Sequence, residues 1–171
     1  MRGAGRFIWE TVETVLIALV LAVLIRHYAV ESFVVEGPSM QPTLHSGERL
    51  LVNKLIYRLR PPQPGEIIVF RPPKATDKDY IKRVIAVGGD VVQLRDGWVY
   101  VNGRRLSEPY VAYRSGGTTP PFQVPPGTVW VLGDNRPDSE DSRSFGEVPL
   151  ANVKGEALFV WWPLSEAHIL H

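Results

Sequence analysis

The sequence predicts a mainly β domain behind one N-terminal apolar helix, on three observations. Gly and Pro number 15 each and are spread along all 171 residues, which favours short strands joined by turns over a helical bundle. Apolar residues recur in short runs bounded by turn formers, the strand signature. One long apolar run near the N-terminus breaks that habit. The length suits a short anchor plus one domain of roughly 100–150 residues with its own core. A formal net charge of +1 excludes a broad electrostatic nucleic-acid binder. With no cysteine in the chain, disulfides, thiolate metal sites and cysteine nucleophiles are excluded.

The apolar run is "VLIALVLAVLI", residues 15–25. Extended back to Phe7 it covers 19 residues, about 28 Å of helix, close to the ~30 Å hydrocarbon core of a bilayer. Trp9 and Tyr28 are placed like interfacial aromatics, and Arg26 and His27 close the far end. A cleaved secretory signal is one alternative, but no small-x-small cleavage site precedes a plausible mature start. A buried core helix is another, and all-round apolarity argues against it. The resulting division is 1–6 as a short cytoplasmic N-terminus, 7–28 as a transmembrane anchor and 29–171 as an extracytoplasmic domain. Arg2 and Arg6 before the span, against Arg26 alone just after it, set that orientation.

Strands are expected at 29–35, 49–54, 67–71, 79–87, 90–94, 98–101, 128–132 and 154–162. Asp96-Gly97 and Asn102-Gly103 are strong hairpin turns. The Pro-rich stretches 60–64 and 119–126 read as loops, and 114–117 as a mobile one. No internal repeat or second span is present.

Three stretches carry candidate chemistry. The first is "GPSMQPTL", 37–44. Gly37 and Pro38 allow a tight bend, and Ser39 on that bend is a turn serine or a nucleophile. A serine hydroxyl needs an adjacent base. The four histidines suit this poorly: His27 abuts the apolar run, His168 and His171 end the chain, and His45 lies in a turn. The second stretch, "YIKRVIAVGGD" (80–90), puts Lys82 inside an apolar strand pattern. Alternation sets Tyr80, Lys82, Val84 and Ala86 on one face and Ile81, Arg83, Ile85 and Val87 on the other. A lysine among apolar neighbours loses hydration, its pKa falls, and its neutral amine can accept a proton. The alternative is a lysine that snorkels to a strand edge. The third is "GDNRPDSEDSRSFG", 133–146, where 134–143 hold four acids and two arginines. Arg143 can pair with Asp134 or Asp141. The EF-hand order is not met, and a solvated acidic loop is the bland reading.

An N-terminal span, then G-x-S-M-x-P-T-L, then Y-I-K-R-V, then G-D-N-R-x-x-S-x-D-S-R resembles type I signal peptidase in its small single-span form. The resemblance runs from the anchor to "GEALFVWWPL" (155–164). It implies antiparallel sheets coiled into a barrel-like catalytic domain behind one transmembrane helix. It implies a membrane serine endopeptidase that cuts signal peptides from exported preproteins after an Ala-x-Ala-type site, at the outer face of the cytoplasmic membrane. Ser39 would be the nucleophile and Lys82 the general base. Ser139 would hold the lysine amine, and Asp141 and Arg143 would brace the site. The Ser39 backbone amide would be an oxyanion donor. Gly37 stands where some members add a serine hydroxyl for that purpose. Asp138 replaces a usual asparagine, and its charge would raise the lysine pKa. Phe33, Val35, Met40, Leu44, Tyr80 and Ile81 would line shallow pockets between two strand edges. Trp161 and Trp162 would dip into the bilayer if exposed and belong to the core if buried. Preprotein signal peptides and membrane phospholipid are the implied partners, with the secretion translocase a further candidate. No cofactor, metal or nucleic acid is implied. The rival readings are a different Ser-Lys protease of related β fold, and a membrane-anchored β-domain that binds a partner without chemistry. The latter leaves Ser39 and Lys82 free to lie apart.

Overall fold

A computed structural model describes residues 2–74 and 77–170 and, within the first helix, the side chains of 9–21 and 23. Helix α1 is Arg2–Tyr28. Its described side chains are all exposed, with Val15, Leu16, Ile17, Leu19, Val20 and Leu21 each more than half so. Among the described residues, no helix is long and apolar enough to cross a membrane. The side chains of Phe7, Arg26, His27 and Tyr28, expected to bound the span, lie outside the described residues, as do those of Arg2 and Arg6.

The strands follow as β1 (Val30–Val34), β2 (Arg49–Asn53), β3 (Ile67–Phe70), β4 (Tyr80–Val87), β5 (Val91–Arg95), β6 (Trp98–Val101), β7 (Arg104–Arg105), β8 (Phe122–Gln123), β9 (Thr128–Leu132), β10 (Val148–Pro149), β11 (Val153–Trp162) and β12 (His168–Ile169). Each strand expected from the sequence forms, with ends within about one residue, the usual boundary scatter. The unexpected ones, β7, β8, β10 and β12, have two residues each, too short for alternation to register. Short helices α2 (Ile56–Leu59) and α3 (Ser142–Phe145) were not expected either.

The strands form two antiparallel sheets. The large one runs β1-β2-β11-β3-β4-β9-β10, with β12 added to β11. The small one runs β7-β6-β5-β8. Both expected hairpin turns are there, with positive φ at Asp96, Gly97, Asn102 and Gly103, the pairing that a two-residue turn of type I′ requires. One core cluster joins β1, β2, β3 and β11 to the 35–44 segment through Val35, Met40, Leu44, Leu50, Val52 and Val160. A second fills the space between the sheets with Ile85, Ala86, Val92, Leu94, Val99 and Leu132. A third packs Ile68, Phe70, Val84 and Val131 under Tyr80 and Phe145.

Strand β4 departs from the expected alternation. Its pairing with β9 shifts between Val84 and Ala86. Ala86 therefore joins Ile85 in the second cluster, and Val87 joins Val84 in the third. A bulge flips every side chain beyond it to the other face, so period-two counting holds only as far as Ile85. The 114–117 stretch, expected as a mobile loop, is tied down. Ser115 Oγ accepts from Arg143 Nη1 at 2.7 Å, and the Gly97 amide donates to the Gly117 carbonyl at 3.1 Å.

Candidate active site

Sheet order places the three stretches together. β4 lies inside the large sheet, between β3 and β9. The 35–48 segment leaves β1 and returns to β2, and 133–146 leaves β9. The 35–48 segment is held at its base by Val35 N–H to Glu48 O and Gly47 N–H to Val35 O, both at 2.9 Å. Gly37 turns it at φ +81°, a conformation that L side chains avoid. Met40 and Leu44 then plug the first core cluster. Ser39 is fixed between these anchors, and its carbonyl accepts from the Asn135 amide at 3.1 Å.

An open cleft of about 580 Å³ results. Phe33, Val35, Met40, Tyr80 and Ile81 line it with Ser39 and Lys82, and Glu36, Lys78, Asp79 and Glu140 are its other charged residues. Leu44 does not line it. That side chain is fully buried among the core residues, because the 40–44 turn sends it inward with Met40. Gly37 lines the cleft, and its own amide donates to Ser46 Oγ at 3.3 Å.

Lys82 is 4% exposed, so it does not snorkel. Its Nζ lies 2.8 Å from Ser39 Oγ and 2.9 Å from the Ile81 carbonyl, with the Tyr80 ring centroid 5.3 Å away. Burial pushes its pKa down to about 8, against the opposing pull of Asp141, Glu140 and Asp134. Desolvation wins because the nearest groups are neutral oxygens rather than carboxylates. Asp138, the expected source of extra charge, is exposed and accepts from Asn135 Nδ2 at 3.4 Å. The carboxylates that pull on Lys82 are Asp141, Glu140 and Asp134.

The 133–146 loop is braced at both ends. The Asp134 carboxylate accepts from Arg83 Nε at 3.0 Å, from Arg83 Nη2 at 2.8 Å and from Thr43 Oγ1 at 2.6 Å. It thereby ties β4 to the 37–44 bend. Asp141 accepts from the Gly133 amide at 3.0 Å and caps α3 through the Arg143 amide at 3.2 Å. Arg143 pairs with Asp141, at 2.8 Å from Nε and 2.7 Å from Nη2, rather than with Asp134. Its Nη2 also donates to the Arg136 carbonyl at 2.7 Å. Ser139, expected to hold the lysine amine, does not: its buried hydroxyl has no hydrogen-bond partner among the described residues. It packs against Gly133, where a Cβ would stand 2.2 Å from Ser139 Oγ.

His45 is exposed and borders a separate hollow with Glu48 and Trp162. Trp162 is 49% exposed. Trp161 is half-buried, and its Nε1 donates to Ser32 Oγ at 3.1 Å. Sequence reasoning left Arg83 unplaced and missed Thr43, Asn135 and Glu140. Tyr80 Oη donates to Glu140 at 2.9 Å. An acidic loop beside a strand arginine was the available signal for Arg83–Asp134, but it offered several equivalent partners.

Fold and cleft define a β-rich protein that sets a serine hydroxyl against a buried lysine amine, the geometry that a Ser-Lys variant of triad chemistry requires. The family described as signal peptidase, peptidase S26, matches residues 8–162. A probable signal peptidase I-1 of Synechocystis is 41% identical over 167 residues, covering 94% of this chain and 85% of its own. Signal peptidase I of Bacillus licheniformis is 39% identical over 172 residues, covering 93% and 91%. Signal peptidase I T of Bacillus subtilis is 38% identical over 165 residues, covering 90% and 85%. A crystal structure of a signal peptidase I from Enterococcus faecalis is 38% identical, with a TM-score of 0.49 over 56% of this chain and 95% of its own. This chain belongs to the signal peptidase family, peptidase S26.

Proposed function

We propose that this chain is a membrane-anchored serine endopeptidase that removes signal peptides from exported preproteins, with Ser39 as nucleophile and Lys82 as general base. The observation that carries it is the 2.8 Å contact between Lys82 Nζ and Ser39 Oγ in the cleft. A non-catalytic binding module has no use for a buried amine on a hydroxyl.

The neutral lysine takes the Ser39 proton as Oγ attacks the scissile carbonyl. The Ser39 backbone amide faces the oxyanion. Lys82, now charged, gives the proton to the leaving amine, and the signal peptide stays esterified to Ser39. Water then attacks the ester with Lys82 again as base, releasing the acid and restoring the serine. Burial is what makes the base available, because an ordinary lysine near pH 7 is almost wholly protonated. Asp141 and Arg143 brace the loop. The strand-edge residues Phe33, Val35, Tyr80 and Ile81 clamp an extended peptide by β-addition, and their shallow apolar lining selects Ala-x-Ala.

The anchor reading rests on α1. Consecutive residues sit 100° apart, so the exposed apolar side chains at 15–21, Ala18 included, cover all faces of the helix. Such a surface needs an apolar medium. The bias of Arg2 and Arg6 over Arg26 puts the 29–171 domain outside the cytoplasm. Exposed Trp162 reaches the bilayer surface beside it, with phospholipid and the translocase as neighbours.

The test is cleavage of a preprotein ending in Ala-x-Ala by the detergent-solubilised chain. Ser39→Ala and Lys82→Met are each expected to lower kcat at least about 10³-fold. Wild-type kcat/KM is expected to rise with pH through about 8, as Lys82 loses its proton. Retained activity in either variant sinks the assignment.

A further inference from the structure

The segment between β7 and β8 carries a buried carboxylate that cleft chemistry does not use. Glu108 is 5% exposed. It sits between two arginines, paired with Arg136 Nη2 and with Arg114 Nη1, the latter at 2.9 Å. Arg114 also lies over the Trp98 ring of β6, its guanidinium carbon 3.7 Å from the centroid. Arg136 is buried as well, and it belongs to the loop that borders the cleft. Its Nε donates to the Gly133 carbonyl at 3.0 Å, while its Nη1 is buried with no partner among the described residues. The guanidinium therefore has two fixed grips, a carboxylate on the small-sheet side and a backbone carbonyl on the cleft side.

Gly133 is the pinch point of the site. Its amide donates to Asp141, and its Cα faces the cleft residues so closely that a Cβ would stand 2.5 Å from the Ser39 carbonyl and 2.2 Å from Ser139 Oγ. The Ser39 backbone and the Ser139 side chain both rest on this one peptide. A shift of the Gly133 carbonyl is transmitted to both, and misplacing reacting groups by about 1 Å is enough to lose roughly 10²-fold in rate.

We propose that Glu108 is a positioning residue for the peptidase reaction. Held in the small sheet's connection, its carboxylate fixes Arg136, which fixes the Gly133 carbonyl and with it the placement of Ser39 beside Lys82. Arg114 balances charge on Glu108 and lies over Trp98, on the small-sheet side, so it stands outside this chain of contacts. The inference rests on the Ser39–Lys82 reading above.

The experiment compares the full chain in detergent micelles with Glu108→Gln, Arg136→Lys, Arg114→Met and Ser39→Ala, on an Ala-x-Ala peptide, well below each melting temperature. Glu108→Gln is expected to lower kcat about 10–100-fold with KM within about threefold. Arg136→Lys keeps a cation beside Glu108 but lacks the second donor, and is expected to lose kcat to a similar degree. Arg114→Met is expected to keep kcat within about threefold. A kcat loss in Arg114→Met with kcat kept in Arg136→Lys would mean that the cluster only balances charge, and would overturn the proposal. So would wild-type kcat in Glu108→Gln. Where Glu108→Gln does not fold, Arg136→Lys decides alone, and kcat within twofold of wild type rejects the idea. Activity retained in Ser39→Ala would instead reject the reading of the cleft itself.

Discussion

Neighbouring cations on the two faces of β4 are treated in opposite ways. Lys82 and Arg83 are both buried, at 4% and 2% exposure. Arg83 meets a carboxylate, with two bonds to Asp134 at 3.0 and 2.8 Å and a third to the Gly65 carbonyl at 2.8 Å. Its guanidinium also stacks on Tyr110, the guanidinium carbon 4.0 Å from the ring centroid. Among the described residues, Lys82 Nζ hydrogen-bonds only to a hydroxyl and a carbonyl. Burial with a paired carboxylate keeps a charge and makes a brace. Burial without one disfavours the charge and makes a base. Under the proposed function, two adjacent residues of the same formal charge thus serve structure on one face and chemistry on the other.

The largest effect expected from this contrast is in stability. Arg83→Met leaves Asp134 buried beside Thr43 without its cation, and should cost on the order of 3–5 kcal/mol, read by denaturant unfolding of the full chain in detergent. A loss under about 1 kcal/mol would show that Asp134 does not need the arginine.

Lys82→Met should move stability the other way. The folded-state pKa near 8 lies below the ordinary value of 10.5, so the unfolded chain binds more protons in that window and wild-type stability falls as pH drops through it. Below about 8 the full penalty applies, roughly 3 kcal/mol from a shift of that size. Above about 10.5 it vanishes. Lys82→Met should therefore be the more stable protein at pH 7, with a margin that shrinks between pH 8 and 10.5. Destabilisation at pH 7, or a margin flat across that range, would break the comparison.

The smallest effect is at the cleft's rim. Lys78 and Glu36 pair at 3.0 Å with both side chains well exposed. Solvent and salt screen such a pair, so Glu36→Gln should change unfolding stability by less than about 0.5 kcal/mol. A larger change would show that the rim, like the Arg83 face, is held by charge.

The strands were readable because each spends at least four residues in a pattern bounded by Gly, Pro, Asn or Asp. The two-residue strands were not, since pairing alone defines them. Ser39 and Lys82 stood out as reactive types in apolar company, and the family resemblance set them in order. Leu44 could not be told from a cleft residue, because the inward turn of 40–44 is decided by core packing. The Ser139 hydroxyl, without a partner among the described residues, and the exposure of Asp138 depend on how the 133–146 loop closes over Gly133. Glu108 gave no local signal at all, since its partner Arg136 is 28 residues away.

By itself the sequence determined the eight longer strands, the hairpin turns, the apolar N-terminal helix and the residues able to act as nucleophile and base, because these follow from local pattern and side-chain chemistry. Only the tertiary structure decided which of two adjacent cations loses its counterion, where β4 changes face, and which arginine each carboxylate holds. Those outcomes depend on desolvation and on partners far along the chain, and neither is written in any short stretch of residues.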